Sequence, residues 1–221
     1  MSQMSPLHAT SVPHGHVVDL ETGLDFVNTL EYSKGLPDDH FDSVETALGW
    51  LYDHDLFHRD MLERELARLA DDPASGDRVL ARIRRIRAAM RELVDATVER
   101  RPADGRQVEE INRALRTPYS YYLMPGPDGV SMDHRHEGDP VDGAMARLAE
   151  SIAREVSQGH PERLRICDND ECRWVFNDTS RTGRRRWCDM ATCGNRAKVA
   201  RHRARKREEA EAGDGASPSA A

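Results

Sequence analysis

Four cysteines near the C-terminal end constrain the fold more than any other feature of this chain. They form two pairs, Cys167 with Cys172 and Cys188 with Cys193, and each pair encloses four residues. Fifteen residues separate the pairs, and no cysteine precedes Cys167. Two close pairs a short distance apart are how a chain presents four thiolates to one tetrahedral zinc ion. The sequence therefore predicts one structural Zn²⁺ with these four ligands.

A metal would also solve a stability problem in this segment. So short a piece of chain buries too little apolar surface to fold alone, and zinc coordination supplies the missing stability. Four thiolates complete the tetrahedron, which makes the site closed and structural rather than catalytic. A redox-labile dithiol site and unrelated core cysteines are the alternative interpretations.

Charge divides the chain into an acidic body and a basic module. The 221 residues have a net charge of -7, yet residues 160–207 carry 14 basic and six acidic side chains. This distribution indicates that only the C-terminal module meets a polyanion. No apolar run is long enough for a membrane helix and no signal peptide is recognisable, so we expect a cytoplasmic protein with reduced thiols and no membrane partner.

Hydrophobic periodicity predicts an α+β fold that is mostly helical. The expected helices cover 19–32, 43–53, 58–71, 77–100, 105–116 and 140–158, with a loop at 34–39. Turn residues at 125–129 predict one β-hairpin with strands at 119–124 and 130–135. The predicted domains are a disordered N-terminus (1–16), a helical body (17–160), a zinc finger with a basic helix (161–210) and a disordered tail (211–221).

The cysteine-containing module has its own predicted elements. A strand at 164–166 delivers Cys167, and 174–176 is expected to pair with 184–187 as a hairpin. Trp174, Phe176 and Trp187 form the predicted small core, and Cys193 begins a long helix. A knuckle, a hairpin and a helix that brings in the last ligand make a treble-clef-like finger.

Basic residues follow the last cysteine without a single acid as far as Arg207. A helix with bases on most of its circumference suits the DNA major groove. A narrow alanine seam (197, 200, 204) is expected to pack on the hairpin, and Asn195 to hydrogen-bond within the finger rather than to a base. The candidate nucleic-acid contacts are Arg181, Arg184, Arg185, Arg186, Arg196, Lys198, Arg201, Arg203, Arg205, Lys206 and Arg207.

Other polar groups of the body have simpler interpretations. The arginines between 78 and 91 are expected to form a solvated helix face rather than an anion site. His134 and His136 are expected to be exposed hairpin residues rather than ligands of a second metal. A glycine-rich phosphate loop, a nucleophile elbow and a zincin motif are all missing from the sequence, so we expect no enzyme.

Two segments resemble known families. Residues 174–206 resemble the CGNR zinc finger, named for the run Cys193, Gly194, Asn195 and Arg196. The sequence LDFVNT (24–29), with the helices and hairpin after it, resembles the ABATE domain that precedes this finger in bacterial proteins. The resemblance implies a stress-induced transcriptional regulator whose finger binds DNA.

Three hypotheses follow for the function. The first is a cytoplasmic bacterial regulator that binds double-stranded DNA through the finger, while the body senses a signal or forms a homodimer. The second is a zinc-stabilised module that docks RNA or an acidic protein. The third is a thiol-based redox sensor.

Overall fold

Helices dominate the body of the protein. The computed structural model describes residues 18–33, 36–126 and 129–214. The helices of the body are α1 (Leu20–Asn28), α2 (Val44–Asp53), α3 (Arg59–Ala70), α4 (Pro73–Glu99), α5 (Gly105–Leu115) and α6 (Pro140–Gln158). No helix among these described residues is both long and apolar enough to cross a membrane.

Antiparallel pairs of short strands complete the described structure. β1 (Leu30–Ser33) pairs with β2 (Leu36–Asp39), and β3 (Tyr119–Gly126) with β4 (Gly129–His136). In the finger, β5 (Leu164–Ile166) pairs with β6 (Val175–Asn177), and α7 (Asn195–Asp214) ends the described chain. The predicted α+β fold, mostly helical with a body hairpin and a C-terminal finger, is confirmed.

Some predictions fall wholly or partly outside the described residues. They include the disordered N-terminus at 1–16, the end of the tail at 215–221 and the side chains of His134 and His136. The helix α7 continues to Asp214, beyond the boundary expected at 210.

Capping residues place the starts of two helices where the sequence predicts them. The Ser43 hydroxyl accepts a hydrogen bond from the Thr46 backbone N–H, and the Thr46 hydroxyl accepts one from the Ser43 N–H, both at 3.2 Å. This capping box begins α2. The Asp139 carboxylate accepts from the Val141 N–H at 2.8 Å, with Pro140 in the first turn of α6.

The hydrophobic core surrounds α4, the longest helix. This helix begins at Pro73, four residues before the predicted start, and its buried face packs against α1, α2, α5 and α6. A Cβ atom at Gly23 would lie 2.2 Å from the Ser151 hydroxyl oxygen, so glycine is what lets α1 approach α6 so closely. The fully buried side chains include Leu24, Phe26, Leu48, Leu51, Ile83, Met90, Leu148 and Ile152.

The first helix is shorter than predicted because the chain turns at Thr29. The expected helix over 19–32 ends at Asn28, and the expected loop at 34–39 contains β2. The Thr29 hydroxyl donates to the Phe26 carbonyl at 2.7 Å, and the Thr29 carbonyl accepts from the His40 N–H at 2.9 Å. These bonds draw the chain away from α1 and into the β1–β2 hairpin.

A buried ion pair attaches this hairpin to α4. Arg87, only 3% exposed, donates from both terminal nitrogens to the two carboxylate oxygens of Asp39, each at 2.7 Å. It also donates to the Thr29 hydroxyl at 2.9 Å and lies over the Phe41 ring. The prediction that these α4 arginines form a solvated face is therefore wrong for Arg87. The hydrophobic periodicity of a helix cannot predict that one of its charged side chains is buried against a partner 48 residues away in the sequence.

The finger packs against α1, α4 and α6 of the body, and its buried hydrogen bonds to the body are made by α1. Leu164 and Val175 belong to the same hydrophobic core as the body helices. The Asn28 side chain donates to the Val175 carbonyl and accepts from the Val175 N–H, both at 2.9 Å and both buried. Its amide thus occupies the free edge of β6 in the way a neighbouring strand would.

Replacing Asn28 with alanine is expected to lower the free energy of unfolding by about 2–4 kcal/mol, because it leaves the buried N–H and C=O of Val175 without partners. Asn112, exposed on α5, provides the matched control, and Asn112→Ala should change the free energy by less than about 0.5 kcal/mol. Urea denaturation of the full chain measures both. Equal stabilities of the two variants would contradict the docking role of Asn28.

Candidate metal centre and basic helix

The sulfur atoms of Cys167, Cys172, Cys188 and Cys193 form a compact cluster in the finger, which we call the cysteine tetrad. All four lie within 4.8 Å of one another. The Sγ atoms of Cys172 and Cys188 are 3.7 Å apart, and those of Cys188 and Cys193 are 3.8 Å apart. Zinc–sulfur bonds of about 2.3 Å in a tetrahedron place neighbouring sulfurs about 3.8 Å apart. The tetrad therefore has the donor type, number and spacing that suit a zinc ion.

The turn of the β5–β6 hairpin supplies the first cysteine pair. The Cys167 N–H donates to the Trp174 carbonyl and the Cys172 N–H to the Asn169 carbonyl, both at 2.8 Å. Arg173 adopts a left-handed conformation with φ 56°, which closes the turn. The Asn169 side-chain amide lies 3.5 Å from the Cys193 sulfur. Asn169 thus links the two cysteine pairs, a role that the sequence analysis missed.

A single π-helical turn, Met190–Gly194, supplies Cys193 and leads into α7. The Asp189 carboxylate caps this turn by accepting from the Thr192 N–H at 2.8 Å and from its hydroxyl at 2.9 Å. The Asn195 side chain donates to the Ala191 carbonyl at 3.0 Å. Asn195 therefore makes the hydrogen bond within the finger that the sequence analysis expected.

The surroundings of the tetrad shift the pKa values of its thiols in different directions. Burial raises the pKa of Cys172 to about 11, and burial together with the neighbouring sulfurs raises the pKa of Cys188 further. Burial also acts against ionisation of Cys193, but hydrogen bonds from Asn169 and the other thiols outweigh it and lower that pKa. Four sulfurs this close repel one another as thiolates, and a dication at their centre removes that repulsion.

The predicted pairing of 174–176 with 184–187 is wrong, because β6 pairs with β5 instead. The second segment is held by a buried side chain. Asp178, 0% exposed, accepts from the Ser180 N–H at 3.0 Å and from the Arg185 N–H at 2.8 Å. Burial would raise the pKa of Asp178, but these hydrogen bonds lower it overall. Backbone groups bonded to a carboxylate are not free to form a strand ladder.

A small core lies beside the tetrad. Phe176 is buried with Cys167 and Cys193, and Trp174 and Trp187 pack against them half-buried. The predicted core of three aromatic residues is confirmed.

The helix α7 projects from the finger with little support. Between 195 and 209 every side chain is exposed except those of Ala197 and Ala204, which are half-buried. The expected alanine seam is wrong at Ala200, which is exposed, because no hairpin lies beneath it. Among the described residues, six bases of α7 have no carboxylate partner: Arg196, Lys198, Arg201, Arg203, Lys206 and Arg207. The seventh, Arg205, lies 3.6 Å from Glu209.

The four candidate bases outside α7 fall into two groups. Arg181 and Arg184 are exposed and form no ion pair within the described chain. Arg185 donates to the Cys188 carbonyl and lies over the Phe176 ring. Arg186 pairs with Asp168 at 2.5 Å and lies over the Trp187 ring. Arg185 and Arg186 are therefore engaged in holding the finger together.

Two families match this chain. Residues 163–206 match the CGNR zinc finger, and residues 20–159 match ABATE, whose description reads "Putative stress-induced transcription regulator". No curated protein matches. The resemblance seen in the LDFVNT and CGNR motifs is confirmed. Since the ABATE match spans more than half of its residues, the chain belongs to the ABATE family and carries a CGNR zinc finger after that domain.

Proposed function

We propose that this protein is a zinc-dependent transcription regulator that binds double-stranded DNA through α7. One observation carries the proposal: a basic helix begins at the cysteine tetrad and presents to solvent six bases that have no carboxylate partner within the part of the chain that the structure describes. The families that match describe a zinc finger and a regulator and name no reaction. The proposed role is accordingly binding and not catalysis.

In this proposal one zinc ion is held by Cys167, Cys172, Cys188 and Cys193. Zinc would tie the β5–β6 turn to the start of α7 and so fix the helix relative to the finger core. Cys167 and Cys193 are each 4% exposed, and Cys172 and Cys188 are half-buried. Burial of this kind shields thiols from oxidants. That shielding favours a structural site over a redox sensor.

The charge order along α7 supports binding of a polyanion. Bases fill its N-terminal half, and Glu208, Glu209, Glu211 and Asp214 follow. A helix is stabilised by acids at its N-terminus and bases at its C-terminus, the reverse of this arrangement. The helix also lacks an apolar face and packs mainly against the turn that precedes it. A charge distribution that weakens the helix itself is explained by a partner that carries negative charge.

The diameter of a helix and the arrangement of these bases match the DNA major groove. An α-helix with its side chains is about 10–12 Å in diameter, and the major groove is about 12 Å wide. At 100° per residue, Arg196, Arg203 and Arg207 fall on one side and Lys198, Arg201 and Arg205 on the opposite side. A helix lying in the groove would direct some of these bases to base edges and the others to the flanking phosphates.

The double variant Arg201→Ala/Arg203→Ala is expected to bind duplex DNA more weakly and with less dependence on salt. Each lost phosphate contact reduces the slope of log K against log salt concentration by about 0.9. Since Arg201 and Arg203 lie on opposite sides of α7, at least one of them faces a phosphate, and the slope should fall by about 0.9–1.8. Titrations of the chain's own promoter fragment at several salt concentrations, followed by mobility shift, give the slope. Zinc content is measured on the same samples and should stay at one ion per chain.

The matched control removes the same charge from the body. Arg64 and Arg106 are exposed, and their replacement by alanine should leave both affinity and slope unchanged. Equal slopes for the two double variants would contradict the role of α7. Competition by random duplex tests selectivity for the promoter. Preference for single-stranded RNA, or for an acidic protein recovered with the chain, would replace DNA with that partner.

A further inference from the structure

A groove lies at the junction of the body and the finger, and we call it the junction groove. Its volume is about 670 Å³, within the range of 300–1,000 Å³ typical of small-molecule sites. The ends of α4 and α6 form one wall, and the segments 161–165 and 182–183 of the finger form the other. Ligand sites are frequent at such junctions between structural units.

Three arginines line the junction groove: Arg100, Arg163 and Arg165. Arg163 donates to the carbonyls of Asp178 and Ser180, and Arg165 to those of Leu164 and Gly183. Hydrogen bonds to neutral carbonyls fix these two side chains without cancelling their charge. Arg100 is exposed at the end of α4, and in the described structure none of the three arginines forms an ion pair.

The nearby carboxylates reduce the positive charge of the junction groove but do not cancel it. Glu162 lines the groove and interacts electrostatically with Arg163, and Asp178 interacts in the same way with Arg165, so two carboxylates face three arginines. Asp178 is buried behind the loop, with its oxygens taken by the N–H groups of Ser180 and Arg185. The groove therefore keeps a net positive charge.

A second groove shows what a neutralised set of arginines looks like. It measures about 460 Å³ and is lined by Arg68, Arg78, Arg82 and Arg85. Glu65 pairs with Arg68, Asp72 with Arg78, and both Asp139 and Asp142 with Arg82. Four carboxylates thus lie against three of the four arginines, so the set as a whole carries no net positive charge, although Arg85 has no carboxylate partner within the described residues. Of the two grooves, the junction groove is therefore the one with a net positive charge.

Apolar and hydroxyl groups complete the junction groove. Val98 and Val156 line the body side half-buried, the buried Leu164 lines the finger side, and the exposed Thr182 brings a hydroxyl group. The Thr97 hydroxyl also lines the groove but already donates to the Leu93 carbonyl at 2.6 Å. We propose that the junction groove binds a small organic anion, with a carboxylate, sulfonate or phosphate group at the arginines and an apolar portion against the valines. Such a ligand would contact body and finger at once. The inference does not depend on DNA binding.

Two dyes that differ in charge test this proposal. 1-Anilinonaphthalene-8-sulfonate carries a sulfonate on an apolar ring system, and N-phenyl-1-naphthylamine is the same skeleton without it. Fluorescence titration of the zinc-loaded full chain should show one saturable sulfonate site. Arg100→Gln removes a charged donor that holds no other structure together, and it should weaken the sulfonate about tenfold. The uncharged dye should bind both forms equally.

Two further variants make the result specific. Thr182→Trp adds bulk on the exposed finger loop and should block the sulfonate without disturbing the fold. Leu123→Ser removes an apolar side chain, 66% exposed on the β3–β4 hairpin, and should leave sulfonate binding unchanged. The proposal is overturned if Arg100→Gln and Thr182→Trp both bind the sulfonate as the native chain does, or if Leu123→Ser abolishes its binding.

Discussion

Cys193→Ser is expected to remove the bound zinc, unfold the finger and abolish DNA binding. Serine offers no thiolate, so three ligands remain, and zinc coordination in a structural site of this kind contributes on the order of 10 kcal/mol to folding. The helix α7 begins two residues after Cys193 and has few contacts of its own, so it should lose its orientation. Native mass spectrometry should show zinc falling from one ion per chain to nearly none.

The control for this variant removes a different sulfur from the same turn. Met190 is 50% exposed and does not belong to the tetrad, so Met190→Ser should keep its zinc and its DNA binding. Chelation of the native chain should reproduce the loss seen in Cys193→Ser, and added zinc should restore binding. A Cys193→Ser chain that retains one equivalent of zinc would remove Cys193 from the proposed ligand set.

We expect Cys193→Ser to unfold the finger and to leave the body folded. The hydrophobic core of the body surrounds α4 and consists almost entirely of body residues. The finger contributes the buried residues Leu164 and Val175 to it. Circular dichroism of Cys193→Ser is therefore expected to keep most of the helical signal, with a thermal transition of the body at a lower temperature than in the native chain. Complete loss of helical signal would mean that the body cannot fold without the finger.

Local patterns predicted most of the helices and pointed to the clustering of the four cysteines. Ser43 and Asp139 cap the starts of α2 and α6 through hydrogen bonds to backbone N–H groups two or three residues away. Capping of this kind depends only on neighbouring residues, so it can be predicted from a single sequence. The cysteine spacing is equally local within each pair. The proximity of the two cysteine pairs in the fold was predicted by assuming that both pairs bind the same metal ion.

The features that sequence reasoning missed depend on distant partners. Asn28 meets Val175 across 147 residues, and Arg87 meets Asp39 across 48. Neither partner can be chosen from periodicity, because polar side chains on a helix are normally assigned to solvent. Asp178 was missed for a related reason: it takes the Arg185 N–H that a strand would have used. Tertiary hydrogen bonds here override local propensity.

The buried pair of Asp39 and Arg87 leads to the largest stability effect expected in the body. Asp39→Ala should lower the free energy of unfolding by about 3–5 kcal/mol, because it leaves a buried guanidinium that cannot give up its proton. Arg87→Met should cost less, since the apolar chain suits the buried site and Asp39, a quarter exposed, keeps Arg84 at 3.1 Å. Chemical denaturation of the zinc-loaded chain measures both variants.

The double variant Asp39→Ala/Arg87→Met separates a true pair from two independent side chains. Without the unpaired charge, it should be more stable than Asp39→Ala alone, so the two effects are strongly non-additive. Simple addition of the single effects would show that Asp39 and Arg87 do not stabilise the fold as a pair. Arg64→Met, a change at an exposed arginine of α3, controls for the substitution itself.

Acid should act on the native chain as Asp39→Ala does. Burial alone would raise the pKa of Asp39, but hydrogen bonds from Arg87 and the Phe41 N–H and the charge of Arg84 outweigh it, so the folded pKa lies below the ordinary aspartate value. A lowered folded pKa means that the pair stabilises the protein above about pH 4 and that this stability is lost as the pH falls through the folded pKa. The difference in unfolding free energy between the native chain and Asp39→Ala should therefore be constant near neutrality and shrink in acid. A difference that stays the same down to about pH 3 would mean that Asp39 stabilises the hairpin without its charge, through packing alone.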